Sequence, residues 1–188
     1  MTQAKTATLE DLARVSGKAE LVDGKIVTFE PDGFLVGYAA DAIRSSLHEY
    51  GKRTRSGYAL GGTVAFVVNL PHRKTLSPHA AFYTGATIGM KFPEGAPVFA
   101  VEVRSEGDYG PKAEKEMAAK RADYFAAGTL IVWDVDLLSL EVVRAYHASD
   151  PYKPLIYRRG DSASAEPAVP GWAMPVVELF PYHPTEQG

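Results

Sequence analysis

The sequence predicts an α/β domain: a mixed β-sheet flanked by helices and preceded by an N-terminal helix and hairpin. Three observations lead there. Pro97 to Trp133 runs from an apolar, β-branched stretch through a helical pattern to a second apolar stretch. Such a strand–helix–strand unit places at least one parallel pair in the sheet. Leu140–Tyr146 and Tyr152–Tyr157 read as further, antiparallel strands, so the sheet is mixed. Asp23-Gly24 lies between two β-forming triplets, and both residues of a tight hairpin turn must accept positive φ.

Thr8-Leu9-Glu10-Asp11 opens a short helix, with Thr8 placed to cap its free amides. Glu20-Leu21-Val22 and Lys25-Ile26-Val27 are the arms of the hairpin. From Leu35 to Tyr50 the apolar residues Leu35, Tyr38, Ala39, Ala42, Ile43 and Leu47 recur with helical period, and Gly51 is the expected stop. Tyr58–Leu60, Thr63–Asn69, His79–Tyr83 and Pro97–Arg104 are strand candidates. Lys112–Ala127 is a helix with Pro111 at its first position and Gly128 at its end. Leu130-Ile131-Val132-Trp133 is the wholly apolar run of a strand covered on both faces. Pro167–Phe180 closes the fold. The whole chain, 1–188, reads as one domain with its core at about 9–180 and a loose tail at 181–188.

Composition narrows the function. The chain has 188 residues, no cysteine and a net charge of −3, which excludes disulfides, thiolate metal sites and a thiol nucleophile. The net charge gives no global basic signature, so any DNA contact needs a local patch. The first residues, MTQAKTATLEDLARVSG, carry no apolar leader core, and no apolar run approaches the roughly 20 residues of a membrane span. A cytoplasmic protein without membrane contact is the expectation.

Glu102 ends an apolar run, where an acid is costly unless partnered. Strand alternation puts Arg104 on the same side as Glu102 and Val101 and Val103 on the other. On the following helix Ala113, Met117, Lys120 and Tyr124 share one arc, so Lys120 interrupts the face turned to the sheet. A lysine there either snorkels to solvent or stands over Glu102, where it can hold water or stabilise charge on a scissile phosphate. Arg104 offers a phosphate contact or a salt bridge to Glu102; its guanidinium cannot act as a base. The basic group Arg44, His48, Lys52, Arg53 and Arg55 reads as a DNA-backbone patch or a solvated helix end. His48 and His72 are isolated, and Ser105 lacks a His–acid partner for nucleophilic work.

These segments resemble a known family. Glu-Leu-Val-Asp-Gly at 20–24, Ser-Pro-His-Ala-Ala-Phe at 77–82, Val-Glu-Val-Arg-Ser at 101–105, Lys-Arg-Ala-Asp-Tyr-Phe-Ala-Ala-Gly at 120–128 and Val-Trp-Asp-Val-Asp at 132–136 are similar to the Uma-type restriction endonucleases. That family belongs to the PD-(D/E)XK nuclease superfamily, and the resemblance runs from about Leu9 to Phe180. It implies a restriction-endonuclease-like fold and metal-dependent hydrolysis of DNA phosphodiester bonds, and the need to cut two strands suggests a homodimer. It implies that Glu102 is an acidic metal ligand, Lys120 the catalytic lysine moved onto the helix, and Glu20 a glutamate near the site. His79 stands where the family has the aspartate of its Pro-Asp motif. Mg²⁺ and Mn²⁺ are the cofactors implied, with His79 and Glu102 as metal ligands. Mg²⁺ favours oxygen ligands, whereas imidazole suits softer transition metals, so the substitution weakens Mg²⁺. The alternative is a degenerate member that keeps the fold and binds nucleic acid or a partner.

Overall fold

The protein is described here by a computed structural model, covering residues 6–86 and 89–182. The tail at 183–188 lies outside the described residues. Helix α1 (Leu9–Leu12) opens on a capping box in which Thr8 and Asp11 satisfy each other's backbone amides. Strands β1 (Ala19–Val22) and β2 (Lys25–Thr28) form an antiparallel hairpin with Val22 opposite Lys25. Its two turn residues, Asp23 and Gly24, have φ of 48° and 69°, as the Asp-Gly pair predicts.

Helix α2 (Phe34–Thr54) buries Val36, Ala39, Ile43, Leu47 and Tyr50 against the sheet. It corrects one expectation, because the helix continues through Gly51 and ends at Arg55, whose φ is 54°. Gly51 is a packing glycine. A Cβ on it would lie 2.7 Å from the Gly57 carbonyl oxygen and 3.3 Å from the Phe82 ring.

Then come β3 (Tyr58–Gly61), β4 (Phe66–Val67), β5 (Thr75–Leu76), β6 (Ala80–Tyr83) and β7 (Phe99–Val103). Helix α3 (Pro111–Ala126) crosses over to β8 (Ile131–Val135), followed by β9 (Val143–His147), β10 (Asp150–Tyr157), β11 (Ser162–Ser164) and β12 (Ala173–Pro175). The main sheet has the order β10-β9-β8-β7-β6-β3. The β7–β8 pair is parallel and the other pairs are antiparallel, so the mixed sheet flanked by helices is observed. Most of Thr63–Asn69 is not strand: β4 pairs with the short β5 outside the main sheet. The closing segment supplies β12, which pairs with β11, and a 3₁₀ turn at Val176–Leu179.

Alternation divides the central strands between two layers. Phe99, Val101, Val103, Ile131, Trp133 and Val135 face α2 and the closing segment, where the Phe99, Trp133 and Trp172 rings lie 5.1–5.6 Å apart. Ala100 and Val132 face α3 and pack with Tyr124. Glu102 and Asp134 are paired in register on β7 and β8 and, by alternation, point to that second side. There the N-terminal hairpin and α3 meet over the sheet.

Candidate active site

The register Ala80↔Val101 sets His79, one residue before β6, beside Glu102, and the His79 amide donates to the Val101 carbonyl at 3.0 Å. From α3, Lys120 and Tyr124 descend one helical turn apart. From β1 comes Glu20, which is 2% exposed. The Lys120 ammonium lies 2.8 Å from Glu102 Oε1 and 3.0 Å from Glu20 Oε1. The Tyr124 hydroxyl donates to Glu102 Oε1 at 2.6 Å, and His79 Nδ1 is 3.1 Å from Glu102 Oε2. Glu20, His79, Glu102 and Lys120 therefore converge, and Lys120 does not snorkel away.

The electrostatics follow from burial and pairing. Burial opposes ionisation of Glu102, but Lys120, Lys18 and the His79 hydrogen bond outweigh it and hold the carboxyl well below its usual range. Lys120 is likewise penalised by burial, yet Glu102 and Glu20 raise its affinity for the proton, so it stays charged. Burial and the neighbouring Glu102 push the Tyr124 hydroxyl well up, fixing it as a donor. Glu20 is saturated: Oε1 also accepts from the Ser77 amide at 2.8 Å, and Oε2 accepts from Arg73. It positions Lys120. Arg73 in turn bonds Asp123 at 2.7 Å, and Asp123 meets the exposed His72 at 2.8 Å, so a chain of polar contacts runs from the surface into the cleft.

Arg104 is corrected. It makes no pair with Glu102; its Nε and Nη2 donate to Asp134, each at 2.7 Å, and both Nη atoms donate to Glu114. With Nη1 also 3.5 Å from the Asp108 carbonyl, the buried guanidinium has no donor left for a phosphate. The basic α2 residues are also apart from the cleft. That helix packs on the other face of the sheet, with Arg44 paired to Asp41, Lys52 near Glu49, and Arg53 beside the Tyr50 ring. A groove of about 980 Å³, lined by Tyr38, Arg53, Arg159 and Phe180 among others, lies on that face too and includes none of the four converging residues.

Arg73, Lys18 and Asp32, all charged residues of the cleft, had no role in the sequence reading. Lys18 places its ammonium 3.2 Å from His79 Nε2, and Asp32 Oδ1 lies 3.4 Å from the same nitrogen. Alternation along β1 sets Lys18 on the side of Glu20, a signal present in the sequence. Asp32 follows the hairpin in an irregular loop and carried none.

The Uma2 family profile, described as "Putative restriction endonuclease", matches residues 7–177. The chain belongs to the Uma2 family. Among solved structures, this Uma2 protein is similar to a putative nuclease belonging to DUF820 from Anabaena variabilis ATCC 29413. The two are 14% identical, with 92% of this chain and 97% of the other covered and a TM-score of 0.70, which shows a shared fold. No curated protein matches the chain significantly.

The donor set bears on the metal that the family resemblance implies. His79 Nδ1 receives the Val103 amide at 3.1 Å, and Nε2 faces the Lys18 ammonium. With Nδ1 accepting, Nε2 carries the ring proton, and it lies 3.4 Å from Asp32 Oδ1, so neither nitrogen keeps the free lone pair that a metal ion needs. Glu102 Oε1 is taken by Tyr124 and Lys120. Among the described residues, no three His, Asp or Glu side chains are grouped to hold one ion. Mg²⁺, which favours about six oxygen ligands, does not fit this arrangement.

Proposed function

We propose that this Uma2 protein engages DNA by a backbone phosphate in the Glu102–Lys120 cleft, and that it cuts the phosphodiester with Mg²⁺ slowly or not at all. The observation that carries this reading is the state of His79, whose Nδ1 accepts from the Val103 amide and whose protonated Nε2 faces Asp32 and Lys18, beside a retained Glu102–Lys120 pair. Lys120, held charged by two carboxylates, can donate to a non-bridging phosphate oxygen and stabilise charge that grows there during hydrolysis. Glu102 fixes that ammonium. Glu20 and Tyr124 hold the pair in place, so they are positioning residues.

A second reading, a metal-dependent endonuclease working with a softer ion, has one observation in its favour. His79 Nδ1 and Glu102 Oε2 are 3.1 Å apart, a spacing that suits two ligands each about 2.1 Å from one ion, if the Val103 amide yields. One experiment separates the two. Plasmid nicking and calorimetric metal titration are run on wild type, His79→Asp and Glu102→Ala with Mg²⁺ and with Mn²⁺. The first reading expects DNA binding without appreciable nicking by wild type, and Mg²⁺ affinity gained in His79→Asp. Nicking by wild type in Mn²⁺, lost in Glu102→Ala, establishes the second. Rapid Mg²⁺-dependent nicking by wild type, unimproved by His79→Asp, refutes the assignment made to His79.

A further inference from the structure

Lys18 has a setting that the nuclease reading leaves unused. Its side chain is half-buried, its ammonium rests 3.2 Å from His79 Nε2, and it is 5.3 Å from the centre of the Phe29 ring. The Lys120 ammonium is 5.2 Å from the same ring. Two ammonium groups, one from the residue before β1 and one from α3, therefore flank one partly exposed aromatic ring. Burial and the neighbouring Lys120 ammonium hold the proton affinity of Lys18 below its ordinary value, against the partial opposition of Glu102, Asp32 and Glu20.

The charge balance is informative. Around His79 and Glu102 stand the carboxylate of Asp32 and the ammonium groups of Lys18 and Lys120, while deeper in Glu20 and Asp123 share Arg73. An acidic cleft built for a divalent ion has excess negative charge for the ion to offset; this one has its own cations. A divalent ion seated on His79 or Glu102 would have to approach the Lys18 ammonium, which has the same sign of charge.

We propose that the Lys18 ammonium takes the place of the divalent ion, so that the cleft holds one phosphate between Lys18 and Lys120 without metal. Two ammonium donors suit the non-bridging oxygens of a phosphodiester, and Phe29 offers its ring to the adjoining sugar or base. The identity of the ligand rests on the DNA reading above. The exclusion of metal does not.

The test titrates the full-length chain with Mn²⁺ by calorimetry, comparing wild type, Lys18→Gln and, as an exposed control, Lys153→Gln. Lys18→Gln is expected to bind Mn²⁺ at least tenfold more tightly than wild type, with the control unchanged. Equal affinity in wild type and Lys18→Gln overturns the proposal. Should Lys18→Gln fail to fold, wild type alone still decides: its affinity for a short DNA duplex, read by fluorescence anisotropy, is expected to be the same in EDTA and in Mn²⁺. A tenfold loss in EDTA overturns the proposal. With a folded variant, the slope of log affinity against log salt should fall by about one in Lys18→Gln, as for one lost phosphate contact. If wild type binds no duplex in either buffer, the DNA reading fails, whereas the Mn²⁺ titration still decides whether Lys18 excludes the metal.

Discussion

Replacing Lys120 by methionine keeps an unbranched side chain one atom shorter and removes its charge from between two carboxylates. Glu20 is 2% exposed as a side chain, and Lys120 and Glu102 are each 18% exposed, so solvent screens the three only in part. At an effective dielectric of about 20, each contact near 3 Å carries about 5 kcal/mol of attraction before desolvation is subtracted. Breaking a buried pair by deleting one partner costs about 3–5 kcal/mol net. The lower end applies here, because Arg73 and the Ser77 amide still hold Glu20, and the Tyr124 hydroxyl still donates to Glu102. For a chain of this size about 3 kcal/mol lowers Tm by about 6–12 °C. Thermal and urea unfolding of Lys120→Met measure it. Adding Glu102→Gln removes one of the two uncompensated charges and should recover about half of the loss. A drop under about 2 °C, or no recovery in the double variant, would falsify the account of Lys120 as a buried ion bound to both acids.

Two further outcomes follow from the same geometry. Glu102 titrates well below its ordinary value of 4.5, so its contribution to stability is complete above that value and is lost as pH falls through the depressed one. Urea midpoints measured downward from about pH 5 should therefore fall less steeply in Glu102→Gln than in wild type, and identical slopes would contradict this. Gly51→Ala should destabilise the protein by about 1–3 kcal/mol although alanine is the better helix former, because its Cβ would lie 2.7 Å from the Gly57 carbonyl oxygen. A raised Tm in that variant would show that Gly57 moves aside freely.

Periodicity and turn chemistry are local properties, and what they determine was legible. The Asp23-Gly24 hairpin, the Thr8 cap, the run of helix after Leu35 and the strand–helix–strand unit around α3 all stand where the pattern puts them. Strand alternation and helical phase gave the sides of Glu102 and Lys120 before any contact forms, and the family resemblance added His79 to the same cleft. Gly51 was misread because a glycine at a helix end and a glycine under a crossing backbone look alike until the Gly57 carbonyl is in place.

By itself the sequence determined the mixed sheet, the family to which the chain belongs, and the sides on which Glu102 and Lys120 lie. Which charges meet was decided by the tertiary structure. Arg104 and Glu102 share a side of β7, yet Asp134 from β8 and Glu114 from α3 claim the guanidinium, leaving Glu102 to Lys120, Tyr124 and His79. Lys18 and Asp32 reach His79 from the hairpin and the loop after it, segments 61 and 47 residues away along the chain. The reason is that an ion pair depends on distances of a few ångströms between segments far apart in sequence, and only the packing of hairpin, sheet and helix sets those distances.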